Sequence, residues 1–114
     1  VKELTKYFQT DPLQGNIGIA HTRWATHGKP SENNAHPHFS HEKIAVVHNG
    51  IVENYLSLKK ELQQKGYLFQ TETDTEVIVH LIFDLVQQGE TFLNAVQSAT
   101  EKMQGSFAIT VMFV

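Results

Sequence analysis

The second half of the chain constrains the fold most, because three stretches with helical periodicity follow one another there and each ends at a glycine. Their apolar side chains recur every three or four positions, which places them on one face of an α-helix. A glycine directly after such a stretch favours the left-handed residue that ends many helices. The predicted helices are residues 55–65 before Gly66, a helix from the capping-box sequence 73–76 to Gly89, and a helix from Thr91 to Gly105.

Apolar runs elsewhere in the chain predict strands. Residues 15–22, 43–48 and 107–114 are typical of buried strands, and residues 67–70 are typical of a short one. Residues 2–8 have helical spacing, which Asp11 and Pro12 interrupt. The polar segment 29–41 predicts a long irregular loop, and such loops often carry function. Strands combined with paired helices predict an α+β domain built of sheet and helix layers.

The composition limits the chain to one domain or a piece of one. It has 114 residues, of which 40% are hydrophobic, enough for a single core. A net charge of −3 without a run of Lys or Arg argues against nucleic acid or an anionic membrane as the main partner. No stretch approaches the ~20 apolar residues that span a bilayer, and no leader opens the chain, so we expect a cytoplasmic protein. Because the chain starts at Val1 and an apolar run reaches Val114, we expect both ends to be truncated.

Residues 21–28, with the sequence HTRWATHG, combine a cation, an indole, two hydroxyls and two imidazoles. They follow the apolar run 17–20, so their side chains would emerge where a predicted strand leaves the sheet. The planar guanidinium of Arg23 matches a carboxylate or phosphate, and Thr26 and His27 are close enough to add hydrogen bonds. The stretch therefore predicts a site for an anionic small molecule. The alternative is that Arg23 braces a carboxylate of the protein and Trp24 fills the edge of a core.

Asn49 and Gly50 follow a predicted buried strand and allow two interpretations. Asn-Gly is a frequent hairpin turn, but the next residues lead into a helix rather than a returning strand. An Asn amide and an adjacent Gly N–H at a strand end can both donate to one oxygen, as an oxyanion hole requires. The residues alone leave both interpretations open.

Asp74 also has two possible roles. In the first turn of a predicted helix, a carboxylate stabilises the exposed N–H groups and the positive end of the helix dipole. An α-amino acid, however, carries a carboxylate and an ammonium, and Arg23 and Asp74 together could bind both groups. The sequence leaves helix capping and ammonium binding open.

The seven histidines raise the question of a metal site. Neutral imidazole is a good ligand for zinc or iron, and His36, His38 and His41 are close in sequence. Their spacing is loose, however, no helix places two of them on one face, and no Cys completes a tetrahedral set. We therefore predict no metal ion and no other cofactor.

Four motifs together carry a resemblance to a known family: HTRWATHG at 21–28, NAHPH at 34–38, VVHNGIVEN at 46–54 and ETDTE at 72–76. In this order they resemble the glutaminase domain of the glucosamine-6-phosphate synthase family, the isomerising glutamine–fructose-6-phosphate aminotransferases. The resemblance covers most of the chain from Gly18 onward. It implies a class II glutamine amidotransferase domain with an α+β, four-layer αββα sandwich of the N-terminal-nucleophile hydrolase type. Residues 1–114 would be a part of that domain, truncated at both ends.

The resemblance also implies roles for individual residues. The implied glutamine-binding residues are Arg23 for the α-carboxylate, Thr26 and His27 in the same pocket, and Asp74 for the α-ammonium. Asn49 and Gly50 would form the oxyanion hole. Trp24 would help to close the site and gate the passage of ammonia.

The nucleophile of the family is an N-terminal cysteine, and these 114 residues contain none. The resemblance therefore implies a fragment that binds glutamine but releases no glutamate by itself. Its parent would hydrolyse L-glutamine and transfer ammonia to fructose 6-phosphate through an isomerase domain missing from this chain, and it would be a homo-oligomer. Two alternatives remain open: another class II amidotransferase, such as an amidophosphoribosyltransferase, and a non-catalytic amino-acid-binding module.

Overall fold

The computed structural model describes residues 2–24 and 27–114, which form helices and a three-stranded antiparallel sheet. The elements are α1 (Lys2–Thr10), β1 (His38–Ser40), β2 (Ile44–Val52), α2 (Tyr55–Gln64), α3 (Thr75–Gln87), α4 (Phe92–Lys102) and β3 (Gly105–Phe113). The predicted α+β class is confirmed. None of the helices in the described ranges combines the length and the apolar character needed to cross a bilayer.

β2 is the central strand, and β1 and β3 pair with its two edges. β1 pairs only with the beginning of β2, from Ile44 to Val46. β3 pairs along all of β2, so that Val52 lies opposite Gly105. The second half of β2 therefore has an edge that β1 does not cover. The candidate site lies along this edge.

The core lies between α3 and the sheet. α3 packs against β1 and β2, while α2 and α4 pack against α3. Ile78 and Ile82 of α3 are completely buried in one cluster with Val46 and Val52 of β2. Burying an aliphatic side chain of this size stabilises the fold by ~1.5–3 kcal/mol. This packing holds the start of α3 against the end of β2.

The helices predicted from periodicity in the second half of the chain are confirmed. α2 ends before Gly66, whose φ of 94° is the left-handed conformation expected after a helix. α4 begins after Thr91, whose Oγ1 accepts a hydrogen bond from the N–H of Asn94 at 3.3 Å. The helix predicted at 2–8 is observed as α1, which extends to Thr10.

The capping box at the start of α3 forms only in part. Oγ1 of Thr73 accepts the N–H of Glu76 at 3.4 Å, as such a box requires. The Glu76 carboxylate does not accept the backbone N–H of Thr73, the second bond of such a box. It accepts the N–H groups of Gln70 and Thr71 instead, each at 2.8 Å. The segment before α3 is therefore tied to the helix by a buried carboxylate.

Two predicted strands are wrong. Residues 15–22 form no strand, and Ile17 is 83% exposed. An apolar run becomes a strand only where another strand supplies ladder hydrogen bonds, and no described residue pairs with this run. Residues 67–70 form no strand either. The N–H groups at both ends of this run bond elsewhere, that of Tyr67 to the Leu62 carbonyl at 3.0 Å and that of Gln70 to the Glu76 carboxylate at 2.8 Å.

The boundaries of β1 and β2 also differ from the prediction. β1 lies within residues 29–41, which were predicted to be an irregular loop. The hairpin lies between β1 and β2, where the N–H of Lys43 donates to the carbonyl of Ser40 at 3.0 Å. His41 and Glu42, at its centre, have φ values of 51° and 55°. This hairpin was not predicted from the sequence, because neither His nor Glu is a usual residue at the left-handed positions of a hairpin turn.

β2 continues through Asn49 and Gly50, so the predicted strand end and the hairpin interpretation of these residues are wrong. Gly50 has a φ of 121°, and a Cβ atom there would lie 2.7 Å from Cα of Phe107. Glycine is required because β3 approaches β2 closely at this position. β3 itself is confirmed, but only one of its faces packs against the core, through residues such as Ile109 and Val111.

Candidate functional site

A pocket of about 190 Å³ lies between the uncovered edge of β2, the start of α3, residues 21–24 and His27. It is lined by His21, Arg23, Trp24, His27, His36, His48, Asn49, Gly50, Ile51, Thr73, Asp74 and Thr75. The site residues predicted from the sequence thus lie together, although they come from three separate parts of the chain. Thr26 is the exception, because it lies outside the described residues.

The uncovered edge of β2 presents backbone N–H groups to this pocket. Along a strand, the N–H groups of alternate residues point to the same edge. The N–H of His48 donates to Nδ1 of His36 at 3.2 Å, and the N–H of Val52 donates to Oδ2 of Asp74 at 2.9 Å. Gly50 lies midway between these two donors, so its N–H points to the same edge. The pocket therefore has a backbone donor in its wall at Gly50.

Asn49 precedes Gly50 on β2, and its exposed side chain also lines the pocket. Its backbone pairs with Ala108 of β3, which fixes its position along the strand. An amide side chain and a neighbouring backbone N–H at one pocket wall can donate to the same oxygen. The arrangement is thus chemically suited to stabilising an oxyanion.

Asp74 is buried, with 2% of its surface exposed. Its Oδ2 atom accepts the N–H of Val52, while Oδ1 lies 3.8 Å from Nδ1 of both His27 and His48. A separation of 3.8 Å is too long for a hydrogen bond. Asp74 also lines the pocket, and Oδ1 has no hydrogen-bond donor among the described residues, so it is available to accept from a ligand cation.

Arg23 is held by backbone carbonyls of its own segment. Its guanidinium donates to the carbonyl oxygens of His27, Gly28 and Lys29, the last two at 3.2 and 3.4 Å. No carboxylate is among its partners within the described ranges, so the alternative that Arg23 braces a protein carboxylate is not observed. These hydrogen bonds orient the guanidinium group. Its charge has no counter-ion among the described residues.

Trp24 lines the pocket but is 89% exposed. The alternative that it fills the edge of a core is therefore wrong for the part of the chain that the structure describes. An exposed indole at the rim of a pocket offers apolar surface that a ligand or another segment can cover.

Two imidazoles in the pocket wall, those of His36 and His48, have pKa values below the usual range and are neutral near pH 7. Burial, together with the nearby imidazoles of His38, His21 and His48 and the charge of Arg23, lowers the pKa of His36 to about 3. Burial also lowers the pKa of His48 although Asp74 is close. Arg23 and Asp74 bring side chains of opposite charge to the same pocket.

A chain of hydrogen bonds fixes two of these imidazoles. Nδ1 of His36 accepts the N–H of His48, so Nε2 carries the proton and donates to Oγ1 of Thr75, 3.4 Å away. The Thr75 hydroxyl is also hydrogen-bonded to Nδ1 of His48, 2.9 Å away. Sequence reasoning missed these three residues as parts of the pocket wall, although His36 and Thr75 lie in the NAHPH and ETDTE motifs.

The histidines do not form a metal site in the structure as described. No group of three His, Asp or Glu side chains in residues 2–24 and 27–114 has the geometry to hold an ion. His21 instead stacks on His36, with ring centroids 4.3 Å apart.

Comparisons with known proteins identify the family of this chain. Residues 21–113 match the family model described as "Glutamine amidotransferase domain". Over 112 residues, the chain is 57% identical to the glutamine–fructose-6-phosphate aminotransferase (isomerizing) of Legionella pneumophila strain Paris. It is 50% identical over 113 residues to the enzyme of the same name from Bradyrhizobium diazoefficiens. These matches cover 98% and 99% of this chain but only 18% of each relative.

Solved structures share the fold at lower identity. A glutamine phosphoribosylpyrophosphate amidotransferase from B. subtilis is 32% identical, with a TM-score of 0.66 over 82% of this chain and 20% of its own. A structure described as the allosteric regulatory enzyme of purine biosynthesis is 34% identical, with a TM-score of 0.67 over 81% of this chain and 20% of its own. The family match, the sequence identity and the shared fold show that this chain belongs to the glutamine amidotransferase domain family.

Proposed function

We propose that residues 1–114 are the glutamine-binding part of the glutaminase domain of a glucosamine-6-phosphate synthase. The parent protein, the longer polypeptide that would contain these residues, hydrolyses L-glutamine and transfers the ammonia to fructose 6-phosphate. The observation that carries the proposal is the pocket that brings Arg23, Asn49, Gly50 and Asp74 together. The names of the relatives at 50% and 57% identity support this donor and acceptor. A homo-oligomeric, cytoplasmic parent is part of the proposal.

The charges of the pocket match the two ends of an α-amino acid. The Arg23 guanidinium binds the α-carboxylate, and Oδ1 of Asp74 accepts the α-ammonium. Because the His36 and His48 imidazoles are neutral, they do not compete with either charge. Thr26 and His27 add contacts to the bound amino acid.

The side-chain amide of the bound glutamine reaches Asn49 and Gly50. When a nucleophile attacks its carbonyl carbon, the oxygen becomes an oxyanion, and the Asn49 amide and the Gly50 N–H stabilise it. Collapse of this intermediate expels ammonia, whose passage Trp24 gates at the rim of the pocket. The cysteine nucleophile lies outside these residues. The 114-residue chain alone therefore releases no glutamate from glutamine, which a coupled glutamate assay checks.

The second candidate is an amidophosphoribosyltransferase, because a solved structure with this fold is a phosphoribosylpyrophosphate amidotransferase. It would share the glutamine chemistry and pass the ammonia to a different acceptor. The identity of 32% to that enzyme, against 57% to an aminotransferase, favours the sugar acceptor.

Supplying the purified parent with L-glutamine and one acceptor at a time separates the two candidates. We expect glucosamine 6-phosphate and glutamate in equal amounts when fructose 6-phosphate is present. Glutamine-dependent consumption of phosphoribosyl pyrophosphate, without any amino sugar, would instead support the second candidate. Failure to release glutamate with either acceptor would contradict both.

A further inference from the structure

Asn34, the first residue of the NAHPH motif, has no role in the proposed chemistry, yet it is almost fully buried, with 2% of its surface exposed. It does not line the pocket. A buried amide must find hydrogen-bond partners to offset the loss of water, so its partners show what it holds together.

The amide joins the segment of Lys29, five residues before Asn34, to the segment of Glu72, 38 residues after it. Nδ2 of Asn34 donates to Oε2 of Glu72 and to the carbonyl of Lys29, each at 3.0 Å. Oδ1 accepts the backbone N–H of Glu72, also at 3.0 Å. Both N–H groups and the oxygen of the amide are thus used.

Each of these segments carries one of the opposite charges of the pocket. The Lys29 carbonyl that accepts from Asn34 also accepts from Nη1 of Arg23, at 3.4 Å. Glu72 lies two residues before Asp74. Gly28 packs against the same amide so closely that a Cβ atom there would lie 2.6 Å from Nδ2. The amide therefore has little freedom to move relative to either segment.

We propose that Asn34 is a positioning residue that sets the separation of Arg23 from Asp74, and thereby the selectivity of the pocket for a ligand with a carboxylate and an ammonium on one carbon. This inference rests on the proposed function. Asn34 acts through the Lys29 carbonyl and the Glu72 segment, without touching the ligand. A structural role alone would predict lower stability but unchanged selectivity.

The test compares steady-state kinetics of the parent protein with those of Asn34→Asp, which keeps the shape of the side chain. The substitution turns the donor into an oxygen that faces the Glu72 carboxylate and the Lys29 carbonyl. Losing the donor of these part-buried hydrogen bonds should raise KM for L-glutamine about tenfold. We expect kcat to change much less, because Arg23 and Asp74 bind the substrate and the transition state equally well.

The matched control is Asn33→Asp, which makes the same change of charge at the neighbouring exposed residue. It should leave KM unchanged. Adding Glu72→Gln to Asn34→Asp exchanges the amide and the carboxylate and restores a donor between positions 34 and 72, but not the bond to the Lys29 carbonyl. The double variant should therefore bring KM part of the way back to the wild-type value. If Asn34→Asp does not fold, Glu72→Ala serves instead, because it removes the Oε2 acceptor from an exposed side chain.

Selectivity is measured as the ratio of kcat/KM for L-glutamine to that for the analogue with hydrogen in place of the α-ammonium. A smaller ratio in Asn34→Asp, or in Glu72→Ala if it is used, supports the inference. An unchanged ratio, whatever happens to KM, or a rise in KM without any recovery in the double variant, would overturn it. If Arg23→Ala and Asp74→Asn also leave KM unchanged, the proposed function fails as well, whatever Asn34 does.

Discussion

The carboxylate of Asp74 accepts a hydrogen bond from the backbone N–H of Val52, with 2.9 Å between Oδ2 and the nitrogen. This bond holds the start of α3 next to Val52, which lies two residues after Gly50 on β2. The Asp74 side chain makes no capping hydrogen bond to α3, so only the interaction with the helix dipole remains of its predicted capping role. Oδ1 is thereby held towards the pocket, at a defined place relative to the strand that carries Asn49 and Gly50.

Asn49→Ala in the parent protein should lower kcat for glutamine hydrolysis by about 10²–10³, with a smaller effect on KM. The amide donates to charge that exists only in the tetrahedral intermediate, so its loss is felt in the chemical step. Asn94→Ala, at an exposed asparagine of α4, is the control and should leave kcat unchanged. A rise in KM alone would assign Asn49 to substrate binding.

Gly50→Ala should destabilise the fold more than Gly89→Ala. Both glycines have positive φ, 121° and 99°, so each substitution carries backbone strain of ~1–2 kcal/mol. Only at Gly50 does the new Cβ also collide with β3, whereas nothing lies within 4 Å of it at Gly89. Urea unfolding of the parent and both variants measures the difference. Equal losses would show that β3 can move away from Gly50.

Glu76→Gln should lower the free energy of unfolding at pH 7. It should also make this free energy fall less steeply as the pH drops into the acid range. Burial opposes the charge of Glu76, but the nearby His80 and the donors of Gln70 and Thr71 outweigh it and hold the pKa at about 2, below its usual 4.5. The contribution of this group to stability is thus complete above pH 4.5 and lost as the pH falls towards 2. We expect ~2 kcal/mol less unfolding free energy at pH 7.

The acid dependence must be compared between wild type and Glu76→Gln, because other groups titrate too. Buried neutral histidines such as His36, with its pKa of about 3, also weaken the fold as the pH falls below 6.5. This part is common to both proteins and cancels in the difference. A difference in unfolding free energy that stays constant from pH 5 to pH 2 would contradict the role of Glu76.

The parent protein should bind no stoichiometric zinc through its glutaminase domain. His36 and His48 are held by each other and by Thr75, and no three potential ligands converge in the described part of the chain. Equilibrium dialysis followed by a glutaminase assay provides the check. One tightly bound zinc whose removal abolishes glutamate release would show that the histidines form a metal site.

The helices were predictable because their signals are local. The apolar spacing of α2 and the glycine after it lie within a dozen residues, and so does the Thr91 cap of α4. Strands depend on partners that are distant in sequence. The run at 15–22 has strand composition and no described partner, whereas β1, which has no strand signal, pairs with Ile44–Val46.

The residue types at the candidate site were predictable, but the scaffold that places them was not. Arg23, Asn49 and Asp74 stand out because their chemistry suits a ligand. The bond from Val52 to Asp74 and the bonds of Asn34 to Glu72 and Lys29 join segments up to 38 residues apart. No local pattern specifies such partners, although Asn34 could have been found as an unassigned polar residue within the NAHPH motif.

The most direct test of amino-acid binding by Arg23 and Asp74 uses the Asp74→Asn variant of the parent protein. Its kcat/KM is measured for L-glutamine and for the analogue with hydrogen in place of the α-ammonium. The substitution keeps an acceptor for the N–H of Val52, so folding should be little affected. Losing the charge that meets the ammonium costs ~2–5 kcal/mol, so we expect a drop of roughly thirtyfold or more for glutamine. The analogue, already a poor substrate, should lose much less. An equal drop in kcat/KM for the two substrates would contradict binding of the ammonium by Asp74.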